Sequence, residues 1–212
     1  MASQVRVVKV GGSLLDLPKL ESRLAAWLDG ATPVHQVLVV GGGKLVEEVR
    51  RWDSQSPLDE ETAHWLCVDL MSTTSQLLQS RLPNIPIVGD ICALNSRLDL
   101  PGATFFDVAT WLREEEPHLP GRVLPASWAV TSDAIAARLA IALGAEELVL
   151  LKSCLPCEET GYSLPELVES GMVDSAMGWL ADELPPVRIV NMRANPLAET
   201  VIRTLEPDSG NL

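Results

Sequence analysis

Basic charge, cysteine, histidine and long apolar runs are all scarce in this sequence of 212 residues. Lysine and arginine number 16 against 29 acidic residues, a formal net charge of −13. That balance excludes broad binding to nucleic acid or anionic membrane, both of which reward clustered cations. Four cysteines in a chain of this length do not make a disulfide scaffold. Apolar runs such as Leu148-Val149-Leu150-Leu151 fall far short of the ~20 residues a membrane helix needs. The first ten residues pass straight into a strand-like pattern with no signal-peptide stretch. A hydrophobic fraction of 47% nevertheless supplies a core and excludes a disordered chain. The expectation is a cytoplasmic globular protein that acts on small molecules.

Short β-branched or apolar runs alternate with helical periodicity. Strands are expected at 5–10, 36–40, 85–88, 104–106, 123–124, 148–151 and 187–190, the last of these closing the set. Helices are expected at 17–28 (Asp16 as N-cap), 44–52, 59–79, 108–115, 131–143, 164–169, 175–183 and 195–205. Residues 93–102 read as a loop. Alternation of this kind requires crossover connections, and so predicts a mainly parallel open sheet in a three-layer αβα sandwich. Residues 1–206 are read as one domain, with 207–212 as a flexible tail.

In open α/β sheets, ligands sit beyond the carboxyl ends of the strands, where glycine turns and helix N-termini present backbone N–H groups. Two such turns stand here: Lys9-Val10-Gly11-Gly12-Ser13 and Val40-Gly41-Gly42-Gly43-Lys44. Either alone is more simply a tight strand-to-helix turn. Two in succession, one flanked by Lys9 and Ser13, point to phosphate. They are not a P-loop, because Leu38 and Leu45 occupy diagnostic positions, nor a dinucleotide fingerprint, because Val46 replaces the third glycine. A third element is Ser127-Trp128-Ala129-Val130-Thr131-Ser132-Asp133-Ala134. Thr131 or Ser132 would cap the following helix, with Asp133 in its first turn. Cys154-Leu155-Pro156-Cys157 supplies only two of the four ligands of a structural zinc, and no metal site is assigned. Glu114-Glu115-Glu116 reads as a solvated helix end, His64 as a surface or satisfied residue, and most of the six tryptophans as core.

Taken in order, these elements resemble the amino acid kinase family: Lys9 to Ser13 on the first strand, Gly41 to Gly43 after the second, and Ser132-Asp133-Ala134-Ile135-Ala136 before an apolar strand. Within it, Ser127 to Asp133, Val173-Asp174, Asn191 with Arg193, and His64-Trp65 look most like the short archaeal kinases of methanofuran biosynthesis and their bacterial relatives. These convert an aminomethyl-furan-methyl phosphate to its diphosphate in a one-carbon cofactor pathway. The resemblance implies ATP and Mg²⁺ as cofactors, a small phosphate acceptor and a homo-oligomer. Lys9 would stabilise the transferred group and Asp133 would fix it. Gly11, Gly12, Ser13, Thr131, Ser132 and Lys152 would meet nucleotide phosphates. Gly41, Gly42, Gly43, His64 and Trp128 would face the acceptor, with Lys44 or Arg193 as a second cation. Lys152 to Cys157 replaces the family's Asp-Val-Asp-Gly turn. That departure leaves open a non-catalytic protein that keeps the fold for binding or assembly, or a kinase for another phosphate or a carboxylate.

Overall fold

The computed structural model describes residues 4–30, 34–155 and 162–202. In chain order the elements are β1 (Val5–Val10), α1 (Leu20–Asp29), β2 (His35–Val40), α2 (Gly43–Asp53), α3 (Glu60–Arg81), β3 (Ile87–Val88), α4 (Ile91–Asn95), β4 (Gly102–Phe106), α5 (Val108–Glu114), α6 (Ser132–Ala142), β5 (Glu147–Lys152), α7 (Leu164–Glu169), α8 (Ser175–Trp179), β6 (Val187–Asn191) and β7 (Ala198–Ile202). The strands form one sheet in the order β3-β4-β2-β1-β5-β6-β7, parallel except for β7, which runs antiparallel to β6.

The central strands are buried on both faces, and their pleat divides the core in two. Val7, Val37, Val39, Leu148 and Leu150 pack with α5, α6, α7 and α8. Val8, Val10, Leu38, Val40, Val149 and Leu151 pack instead against Leu20, Leu24 and Leu28 of α1. The expected three-layer sandwich is therefore the fold. Because β1 lies between β2 and β5, in register over most of its length, the order reverses beside it. The carboxyl ends of those three strands meet at this switch point.

Several local expectations are corrected. The helix expected at 195–205 is not formed over 195–202, and residues 203–205 lie outside the described residues. Ala198–Ile202 is an edge strand whose side chains alternate between half-covered and exposed until Ile202 is buried, so β6 is not the last strand. Residues 123–124 form no strand, and residues 93–102 contain the end of α4. Helix α1 begins at Leu20 because Lys19 adopts a left-handed conformation with φ 61°. Asp16, read as its cap, instead pairs with Lys44 at 2.9 Å. Glu116 is not solvated: it is fully buried and paired with Arg138 at 2.8 Å. Among the tryptophans only Trp111 is completely buried, whereas Trp52 and Trp179 are exposed. The tail read at 207–212 lies outside the described residues.

Candidate active site

The sheet ladder continues one residue past β1 and β2. Gly11 N–H donates to Leu151 O (2.8 Å) and Gly41 N–H to Val10 O (2.9 Å). These two glycines therefore spend their amides on the sheet, contrary to the roles expected of them. The amides of Gly12 and Gly43 have no protein acceptor among the described residues. Here the two turns touch: a Cβ on Gly12 would lie 2.3 Å from Gly43 N, and Gly43 has φ +57°. Both positions need glycine, one for close approach and one for its backbone conformation. Gly12→Ala is expected to push the turns apart, costing about 1–3 kcal/mol of stability and weakening any anion held between them. Thermal melts and ATP titration of the variant test this, and unchanged values in both would refute it.

A cavity of about 470 Å³ opens over this contact. Its lining carries the cations Lys9, Lys44, Lys152 and Arg193 together with Gly12, Ser13 and Gly43 of the two turns. The same cavity is also lined by His64, Val68, Met71, Trp128, Ser132 and Ile135. The lining places most of the sequence-predicted residues together. Gly41 stands behind it, where a Cβ would meet Ser132 Oγ at 2.8 Å. Lys44 is largely solvated and already paired with Asp16. Arg193 donates to Ser13 O at 3.1 Å, tying the loop after β6 to the first glycine turn.

The buried carboxylate of Asp133, not itself part of the lining, bridges the ammonium groups of two lining residues. Lys9 Nζ lies 2.8 Å from Oδ1 and Lys152 Nζ 2.5 Å from Oδ2. The Lys9 contact is an ion pair off the axis of a hydrogen bond, so Oδ1 has charge compensation without a hydrogen-bond partner. Burial by itself would raise the Asp133 carboxyl, but Lys9 and Lys152 outweigh it and hold the group down to about 2. Burial lowers Lys9, offset only in part by Asp133 and reinforced by Lys152.

The Asp133 value sets an acid limit. Its folded value lies below the ordinary carboxylate range, so its stabilisation is fully present above about pH 4 and is lost as pH falls toward 2. The shift corresponds to roughly 2 kcal/mol. Urea unfolding between pH 5 and 2 should be distinctly flatter for Asp133→Asn, and equal slopes would contradict the assignment.

Sequence reasoning assigned the α6 cap to Thr131 or Ser132. Thr131 does occupy the N-cap position, but its hydroxyl donates to Asp174 Oδ2 at 2.6 Å rather than capping the helix. Asp174 supplies the capping carboxylate from 43 residues away. Lys152, expected at a phosphate, lines the cavity and also donates to Asp133 and to Met172 O, the latter at 2.8 Å. His64 is buried, not on the surface. Its Nδ1–H donates to Ser127 O at 3.2 Å, leaving Nε2 as the acceptor of a neutral ring. Burial lowers its pKa, consistent with that neutral state. Trp128 stands at the rim with the Arg50 guanidinium 5.6 Å over its ring. Arg50 was missed because a basic residue on an exposed helix carries no motif. Cys154 is exposed and unpaired in any disulfide, while Cys157 lies outside the described residues.

Among the described residues, no group of three His, Cys, Asp or Glu side chains could hold a metal. The buried carboxylate of Asp133 is already engaged by two ammonium groups. The arrangement fits an anion lying across Lys9 and the Gly12–Gly43 contact, not a resident metal ion. No helix among the described residues is long and apolar enough to cross a membrane.

The fold has known counterparts. Uridylate kinase from Archaeoglobus fulgidus superposes with a TM-score of 0.58 at 18% identity, over 86% of this chain and 88% of that one. UMP kinases from Ureaplasma parvum and Bacillus anthracis give TM-scores of 0.60 and 0.61 at 11% and 14% identity. They cover 95% and 96% of this chain, and 99% and 100% of theirs. At such identities the likeness is one of fold. A comparison with curated proteins gives no match. The model of the amino acid kinase family matches residues 4–154, which include both glycine turns and the Lys9–Asp133–Lys152 cluster. On that match, the chain belongs to the amino acid kinase family.

Proposed function

We propose that the protein is an ATP-dependent phosphotransferase that converts a small phosphate monoester to its diphosphate, with an aminomethyl-furan-methyl phosphate as the acceptor. The observation that carries this reading is the Lys9–Asp133–Lys152 cluster set beside two abutting glycine turns. Phosphoryl transfer needs positioning and charge stabilisation more than covalent chemistry. This site offers two oriented ammonium groups, unspent amides and, among the described residues, no other acid paired with those ammonium groups.

In the proposed reaction, an oxygen of the acceptor phosphate attacks the γ-phosphorus of ATP. A P–O bond forms as the bond to the β-phosphate oxygen breaks, and ADP leaves with that electron pair. The acceptor oxygen is already ionised near neutral pH, so no general base is required. Lys9, which lines the cavity with both turns, meets the transferring group. Gly12, Ser13 and Lys152 serve the donor phosphates, and Gly42 and Gly43 the acceptor phosphate. Asp133 holds both lysines in place. Mg²⁺ enters as part of the nucleotide substrate, where it neutralises the donor phosphates. The organic part of the acceptor lies toward Trp128, Met71 and His64 Nε2.

The reading is tested by calorimetric titration of Mg·ATP, followed by an assay for ADP formation with the furan-methyl phosphate and, separately, with UMP. Saturable nucleotide binding and transfer to the furan phosphate support it. Transfer to UMP alone would keep the phosphotransferase and replace the acceptor. Absence of both binding and transfer would refute it.

A further inference from the structure

One half-buried group takes no part in the chemistry above, yet touches the elements that carry it. Asp174 follows the turn after α7 and precedes α8. Its Oδ2 accepts from Thr131 N (3.1 Å), Thr131 Oγ1 (2.6 Å) and Ala134 N (3.0 Å), and its Oδ1 accepts from Met177 N (3.1 Å). One carboxylate thus caps two helices, α8 locally and α6 from a distance. Ser132 and Asp133 sit between the two α6 residues it holds.

Two residues earlier in the same segment, Met172 O accepts from Lys152 Nζ. Met172 and Val173 are in turn anchored through their own amides to Leu167 O of α7. The segment therefore grips both partners of one ion pair: the turn that carries Asp133 and the ammonium of Lys152. Burial, and next to it the negative charge of Asp133, push the Asp174 carboxyl up, while the hydroxyl and amide donors oppose this. A carboxylate kept in such surroundings is held there by its four donors.

We infer that Asp174 is a positioning residue that sets the first turn of α6, and through it the placement of Asp133 between Lys9 and Lys152. The inference rests on the phosphotransferase reading for its effect on rate, but not for its effect on structure. Asparagine and alanine at this position separate the two caps. Asp174→Asn would keep a carbonyl oxygen for the three α6 donors, while its amide faces Met177 N and loses the α8 cap. Asp174→Ala would lose both.

Asp174→Ala is expected to lower kcat by about 10–10²-fold with little change in KM for Mg·ATP. It should also speed amide hydrogen exchange at Ser132, Asp133 and Ala134 by about tenfold or more. Asp174→Asn should recover kcat to within about threefold of wild type and restore slow exchange at those amides, although its melting temperature stays below wild type. Unchanged exchange at Ser132–Ala134 in a folded Asp174→Ala protein would overturn the inference, as would kcat that simply follows melting temperature across both variants. If wild-type protein transfers no phosphate, the proposed function fails on its own, and the exchange result still decides the role of Asp174.

Discussion

Replacing Lys9 by alanine is expected to lower kcat for phosphoryl transfer by about 10²–10³-fold, equivalent to roughly 2.7–4 kcal/mol of transition-state stabilisation. The size follows from where the ammonium sits. It is buried against Asp133 at 2.8 Å and lines the same cavity as Gly12 and Gly43, so it acts where water cannot replace it. The variant should remain folded, because Lys152 still compensates the Asp133 carboxylate at 2.5 Å. Arginine should not rescue it. A Cβ on Gly41 would already stand 3.4 Å from Lys9 Cε, and a forked guanidinium needs more room than that wall leaves. The same burial lowers the Lys9 pKa. The rate should therefore fall on the alkaline side at lower pH than a solvent-exposed lysine would dictate. Steady-state kinetics across pH, with calorimetry for nucleotide affinity, provide the measurement. An alanine variant within threefold of wild-type kcat would remove Lys9 from the reaction.

The second large effect is on stability. Glu116→Ala is expected to cost about 3–5 kcal/mol, because it strands the Arg138 guanidinium in a site where both side chains are 1% exposed. For a protein of this size that corresponds to a fall of roughly 6–20 °C in melting temperature. Arg138 would keep Pro120 O at 2.9 Å, but carbonyl oxygens do not replace a carboxylate charge. Leu124 N would also lose its acceptor, Glu116 Oε1 at 3.2 Å. Glu116→Gln, which keeps an oxygen in place, should cost less. Replacing both residues by apolar side chains of similar volume should recover most of the loss. A double-mutant cycle in urea reads these terms directly, and a single-variant loss under about 1 kcal/mol would contradict the account. Turnover at temperatures well below the transition should change little, in contrast to Lys9→Ala.

How much of this was legible in the sequence depends on the range over which each feature is encoded. Strands β1 and β2 and helix α6 announce themselves, because a β-branched run, a glycine turn and a capping triplet are each written in a few neighbouring residues. The glycine turns were legible as sites for the same reason. Strand β7 was not. Leu197, Val201 and Leu205 recur every four residues and imitate a helical face, whereas pairing with β6 decides the conformation. The contacts that finish the site were also hidden. Lys152 reaches Asp133 across 19 residues and Asp174 reaches Thr131 across 43, and only the sheet order makes them neighbours. Glu116 looked like one acid in a solvated run because nothing local marks Arg138 as its partner. Thr131 was taken for a cap because local spacing permits it, yet its hydroxyl found a stronger acceptor elsewhere.

The abutting glycine turns have one more consequence. They leave adjacent parallel strands, and strands of a sheet lie about 4.8 Å apart. The separation between the two phosphate positions proposed for this site is thus a ruler made of backbone, insensitive to the identity of any side chain. The walls that would meet the organic part of an acceptor, Trp128, Met71 and His64, hang on different supports: α3 and the loop before α6. Acceptor preference can therefore drift by substitution in those walls while the distance over which phosphate is passed stays fixed.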